Sequence, residues 1–235
     1  MYRTVSDEAD RMDRTVGDEA DSMNRTVGVD MESETDSVIH GTDENDICCV
    51  VLAAGLSRRM GCDKLLLPLG ASALLEKTLD AVSAAGSGRT IVVYHQDEIR
   101  SLAECRGFGA VFNGHPEEGQ SLSVRLGLEA CGRCRGWLFV NGDMPFLTAS
   151  TIRKLLDLAA GEDKILVPLY GDHPGPPVYF PYRFRRELMA LTGDIGGRSV
   201  YRRHPEDVLY VAADPAQGQD IDTPEDYAHV TGGEA

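Results

Sequence analysis

Short apolar runs of strand length recur along the chain, and segments with helical spacing stand between them. The first run, ICCVVLA at Ile47 to Ala53, precedes LLEKTLDAVSAA, which puts Leu75, Leu79 and Val82 on one helical face. TIVVYH from Thr90 to His95 and AVFN from Ala110 to Asn113 read as the next two strands, and a helix follows around Ser121 to Ala130. WLFVNGD supplies a further strand, and Ile152, Leu155, Leu156 and Ala159 mark one face of the helix after it. KILVPLY and VLYVAA complete the strong strand signals. A sheet whose strands are joined by helices is covered on both faces, so the pattern predicts an α/β fold with a three-layer α/β/α arrangement and a mainly parallel sheet.

The alternation occupies residues 47–235, which is enough chain for one sizeable domain. Ahead of it, residues 1–46 hold fourteen acidic and four basic side chains, most of the net charge of −15. They also repeat every eleven residues, in MYRTVSDEADR, MDRTVGDEADS and MNRTVGVDMES from Met1, Met12 and Met23. Each copy offers little beyond one Val and one Met to bury, so this extension is expected to stay disordered. A net negative body disfavours nucleic-acid binding, and no run reaches the length of a membrane span. The N-terminus opens with alternating charges rather than a basic stretch followed by an apolar one, and the chain is expected in the cytoplasm.

In open α/β sheets ligands bind beyond the carboxyl ends of the strands, which directs attention to the turns that follow them. After the first strand stands AAGLSRRMGCDK: Ala53, Ala54 and Gly55 let backbone approach a ligand closely, while Arg59 and Lys64 supply charged donors suited to phosphate. The glycine spacing and the Leu after Lys64 fit neither a P-loop nor a dinucleotide fingerprint. A solvated strand-to-helix turn is the alternative. After WLFVNGD, the carboxylate of Asp143 faces the same edge as a natural Mg²⁺ ligand, since Mg²⁺ is held by one or two carboxylates plus substrate phosphates. Thr148 and Ser150 are free to cap the next helix in its place. A third acidic turn, DIDTPED, brings Asp220 and Asp222 beyond the last strand.

Together these residues resemble the MobA-like nucleotidyltransferases, and most closely the molybdenum cofactor cytidylyltransferases. The resemblance rests on LAAGLSRRMGCDKLLLPLG, EGQSLSVRLGL, NGDMPFL, GDIGGRS and DIDTPEDY, in that family's order, and spans Ile47 to about Val230. It implies a Rossmann-like nucleotidyltransferase fold and transfer of CMP from CTP to the terminal phosphate of the molybdopterin cofactor, with Mg²⁺ and release of pyrophosphate. It places Leu52, Ala53, Ala54, Gly55, Ser57, Arg59, Gly61, Lys64, Ser123 and Gly142 around the nucleotide. Arg59, Lys64 and Asp143 become the catalytic set, Asp143 and Asp222 the metal ligands, and Gly193, Asp194 and Arg198 the acceptor side.

Ala54 stands where guanylyltransferases tend to carry Gly, which favours CTP over GTP. A molybdopterin guanylyltransferase, or an enzyme for a sugar or alcohol phosphate, is the alternative on this fold. A cofactor-holding chaperone for a molybdenum hydroxylase client is a further reading, against which Arg59, Lys64 and Asp143 speak. The sequence departs from the family pattern at Pro176, where a polar acceptor contact is usual, and His173 is the nearby candidate to replace it. The cysteines, including the CxxC pair Cys131 and Cys134, are expected to be reduced. Trp137 is expected to pack at the start of its strand.

Overall fold

The computed structural model describes residues 45–57, 60, 63–219, 221 and 223–232. The acidic repeat through residue 44 lies outside the described residues, and so do Arg59, Gly61, Asp220 and Asp222. The chain begins with β1 (Ile47–Ala53), a short hairpin of β2 (Pro68–Leu69) and β3 (Ser72–Ala73), and α1 (Leu74–Ala85). Then come β4 (Arg89–Tyr94), α2 (Asp97–Glu104), β5 (Gly109–Phe112), α3 (Gln120–Cys131), β6 (Gly136–Asn141) and α4 (Ala149–Gly161). The last third holds β7 (Ile165–Tyr170), β8 (His173–Pro174), β9 (Val178–Pro181), α5 (Arg185–Met189), α6 (Arg198–Arg203), β10 (Val208–Ala213) and α7 (Pro224–Thr231).

Eight strands form one sheet in the order β10-β7-β9-β6-β1-β4-β5, with β8 added to β7. β1 pairs in parallel with β4 and β6, β4 with β5, and β10 with β7, whereas β9 runs antiparallel between β6 and β7. The expected α/β class and mainly parallel sheet are found. β9 and α2 carry no strong sequence signal: VYFP is short and bounded by prolines, and DEIRSLAE buries only Ile99 and Ala103.

Strand alternation splits the core into two layers. Cys49, Val51 and Ala53 of β1 face α1 and α4, against Leu75, Leu79, Val82, Ile152 and Leu155. Cys48 and Val50 face the opposite side, with Val124 and Leu128 of α3 and Leu188 of α5. α3 lies so close to β1 that a methyl group on Gly127 would collide with Val50. A disulfide joins Cys48 of β1 to Cys131 at the end of α3, with Cα atoms 6.2 Å apart. This corrects the expectation of reduced cysteines for Cys48 and Cys131: the last turn of α3 stacks over the first residues of β1 within disulfide reach. Cys131 therefore pairs outside its CxxC motif. Cys49 and Cys134 are free and buried, and burial pushes the Cys49 thiol up to about 12. Trp137 is fully buried at the start of β6 and stacks on Tyr182. Among the described residues, no helix is long and apolar enough to cross a membrane.

Candidate active site

The carboxyl ends of β1 and β6 are adjacent because these strands pair in parallel, with Leu52 opposite Asn141. The pairing continues one residue past β6, where Gly142 donates its N–H to the Leu52 carbonyl at 2.9 Å. From the helix layer, the buried Thr78 hydroxyl donates to the Gly142 carbonyl at 3.0 Å. A Cβ at Gly142 would stand 3.1 Å from both the Leu52 oxygen and Leu75 Cδ1, a tight approach that a side chain there would have to push apart by a few tenths of an ångström. Asp143 follows directly, its backbone fixed from two sides.

The turn after β1 is closed by Ser57. Its carbonyl accepts from Met60 N–H at 2.9 Å, and its hydroxyl oxygen accepts from Lys64 N–H at 3.2 Å. Ser57 has φ 46°, a conformation uncommon outside glycine, and these two bonds hold it there. The turn ends where Asp63 Oδ1 accepts from Leu65 N–H, which sets the single helical turn that carries Lys64. The Lys64 ammonium then reaches Asp143 Oδ2 at 2.7 Å and the Ile221 carbonyl at 3.1 Å.

These turns border a cavity of about 640 Å³. Leu52, Ala54, Gly55, Ser57, Lys64, Asn141 and Asp143 line it from the strand ends, and Pro116 to Gln120, Ser123, Gly193 and Asp194 line it from the α3 side. On that second side the loop at residues 193–194 rests on the start of α3: Gln120 N–H meets Asp194 Oδ1 at 3.3 Å, and Ser121 N–H meets the Gly193 carbonyl at 3.2 Å. Gly119 has φ 91°, and a Cβ there would lie 2.6 Å from the Asp194 nitrogen.

The structure thus brings together Leu52, Ala54, Gly55, Ser57, Lys64, Ser123, Asp143, Gly193 and Asp194 from the sequence-predicted set. Ala53 and Gly142 stand outside the lining. Ala53 points into the α1 and α4 core layer, and Gly142 is a buried packing residue behind Asp143. His173 and Arg198 also stand outside it. His173 is exposed in β8, and Arg198 is exposed at the start of α6 beside the Tyr201 hydroxyl. Arg59, Gly61 and Asp222 lie outside the described residues. Sequence reasoning missed Thr78, Asn113 and Gly119, whose tasks depend on partners remote in the chain.

Asp143 fits a divalent cation: its carboxylate is a hard oxygen donor, partly exposed at the cavity and already turned toward a cation. A second cluster, His204, Glu206 and Asp207, has ligand-like spacing, but its atoms are engaged. His204 Nε2 contacts Glu187 at 2.8 Å, and Asp207 is bonded to Arg183 and Lys164.

Residues 49–208 match the model of the MobA-like NTP transferase domain. The chain belongs to that family. This MobA-like nucleotidyltransferase is 29% identical over 196 residues to the purine catabolism protein PucB of Bacillus subtilis, across 76% of this chain and 92% of PucB. It is 28% identical over 134 residues to the molybdenum cofactor cytidylyltransferase of Escherichia coli, across 56% of this chain and 68% of that enzyme. Among solved structures it resembles Rv0371c of Mycobacterium tuberculosis, with TM-score 0.71, 29% identity and coverage of 81% of this chain and 100% of that one. A further crystal structure of Rv0371c is a complex with manganese.

Proposed function

We propose that this MobA-like transferase, acting through residues 47–235, moves CMP from CTP to the terminal phosphate of a molybdopterin-type acceptor. The observation that carries this reading is the Lys64–Asp143 pair at the cavity, 2.7 Å apart, with Ala54 in the same lining. The likeness to a cytidylyltransferase and the presence of Ala54 rather than glycine in the cavity lining support the choice of CTP. In the transfer, an acceptor phosphate oxygen bonds to the α-phosphorus, the bond to the β-phosphate oxygen breaks, and pyrophosphate leaves. No protein nucleophile is needed, so positioning and charge stabilisation are the chain's main contributions.

Lys64 donates to the triphosphate oxygens, with Arg59 as a second cation on the same turn. Asp143, joined by Asp222, would hold Mg²⁺, which when bound supplies charge neutralisation to the phosphates. Until then Lys64 neutralises Asp143, so the carboxylate is never left uncompensated. Asp194 and Gly193 border the acceptor half, and the product suits a molybdenum hydroxylase client. The PucB likeness covers more of both chains, and it favours, as a second reading, the same transfer to a different acceptor.

The test uses purified protein, Mg²⁺ and molybdopterin cofactor with each nucleoside triphosphate in turn, reading pyrophosphate release. Release with CTP, lost on chelation, is the expected result. Release with GTP alone would sink the cytidylyl assignment. Tight cofactor binding without release for any triphosphate would point to a chaperone.

A further inference from the structure

Behind the α3 wall of the cavity lies a buried side chain that the proposed transfer does not use. Asn113 follows β5, has no exposed surface and does not line the cavity. Its backbone N–H donates to the Tyr94 carbonyl, which extends the pairing of β4 with β5 by one residue. Among the described residues its side chain has two hydrogen-bond partners. The N–H of His115 lies 2.9 Å from Oδ1, and Ser123 Oγ lies 3.0 Å from Nδ2.

These contacts fix the direction of every proton. A backbone N–H can only donate, so the amide oxygen must be the atom facing His115. The amide nitrogen is therefore the atom facing Ser123, and an amide nitrogen can only donate. Ser123 Oγ accepts that bond and keeps its own proton for another partner. A serine within a helix often gives its proton to the carbonyl four residues back, here that of Gly119, but no such bond forms among the described residues. Ser123 is one of the cavity's lining residues.

We propose that Asn113 is a positioning residue that makes Ser123 an obligate hydrogen-bond donor to an acceptor atom of the bound nucleotide. The inference rests on the nucleotide reading of the cavity. The acceptor atom belongs to the base, as a carbonyl oxygen or ring nitrogen, or to the ribose, as a hydroxyl oxygen. Asn113 does not line the cavity; it acts on Ser123 by donating its Nδ2 proton to Oγ, which directs the hydroxyl proton away from Asn113. It also ties the His115 backbone, and with it the cavity-lining segment from Pro116 to Glu118, to the same support.

The test is calorimetric binding of CTP with Mg²⁺ to the full chain, alongside steady-state kinetics. Asn113→Asp keeps the shape and the acceptor for His115 but replaces the donor by a carboxylate. Ser123 must then donate inward, and its proton leaves the cavity. Binding is expected to weaken roughly tenfold, as KM with kcat nearly unchanged. Ser123→Ala should lose as much, and the double variant no more than either single change, because both remove one bond. Ser123→Thr should recover most of the affinity, while Ser123→Cys, a weak donor, should behave like Ser123→Ala.

Full affinity in Ser123→Cys or in Asn113→Asp would overturn the proposal, as would losses that add. The cysteine and threonine variants decide the matter if Asn113→Asp does not fold. With 2′-deoxy-CTP and 3′-deoxy-CTP in turn, a Ser123→Ala effect that persists with both assigns the bond to the base, and one that vanishes with either assigns it to that ribose hydroxyl; each outcome supports the donor role. If the unmodified protein binds none of the four triphosphates, the nucleotide reading itself has failed. If it binds CTP and the variants bind equally well, only this inference has.

Discussion

The two walls of the cavity are built on different principles. The strand-end wall works by charge: Lys64 and Asp143 face each other at 2.7 Å on turns pinned by Ser57, Gly142 and Thr78. The α3 wall also carries carboxylates, at Glu117, Glu118 and Asp194, but it is held by fit and hydrogen bonding: Gly119 against Asp194, Ser121 on the Gly193 carbonyl, and Asn113 behind Ser123. Charge acts over distance and suits groups whose charge changes during a reaction. Fit acts only at contact and suits the parts of a ligand that do not react. Under the proposed transfer, turnover falls to the first wall and selection of the acceptor to the second.

The sharpest attack on that division is Asp143→Asn, which leaves the backbone clamps intact and removes the charge. Turnover should fall about 10³-fold, on the scale of losing one electrostatic contact in a transition state, with the melting temperature little changed. Pyrophosphate release near the unmodified rate would remove the strand-end wall from catalysis. The next effect concerns the link between the walls. Breaking the Cys48–Cys131 bond, by reductant or by Cys131→Ser, frees a loop spanning 83 residues and should lower unfolding free energy by about 4 kcal/mol. Denaturation with and without reductant measures it, and coincident curves would show that the walls hold together by packing alone.

Gly119→Ala tests the second wall directly. Its methyl would meet Asp194 backbone at 2.6 Å in a left-handed conformation, at a cost of about 2 kcal/mol, and the loop at 193–194 should lift from α3. Weaker acceptor binding with CTP affinity retained would place the selective function there. Smallest is Lys64→Ala, with roughly tenfold weaker triphosphate binding, since a charged hydrogen bond is lost at a partly exposed site. Unchanged CTP affinity would detach the cation from the phosphates.

The two walls were unequally legible in the sequence. β1 and β6 are continuous apolar runs, and the turns after them carry Lys64 and Asp143 in glycine-bearing stretches, so both position and chemistry are visible in one dimension. Gly142 was visible too, but as a lining residue; its packing against Leu52 and Leu75 appears only when the strands pair. Asn113 looks like the end of an ordinary strand until Ser123 stands beside it. Gly119 looks like a turn glycine until a segment 74 residues further on closes over Gln120. His173 and Arg198 carried polar signals, but both are exposed and neither is among the cavity's lining residues. The Cys48–Cys131 pairing is invisible because neither residue has a spacing that points to the other.

The bond from the Lys64 ammonium to the Ile221 carbonyl crosses 157 residues of chain. On a ribosome, at roughly 5–20 residues per second, Lys64 would wait on the order of ten to thirty seconds for that carbonyl to be made. During that interval β4 to β10 are synthesised while Lys64 has yet to meet the Ile221 carbonyl. A half-made chain would therefore present this turn without its finished geometry, and the triphosphate binding proposed for it would arrive late in synthesis.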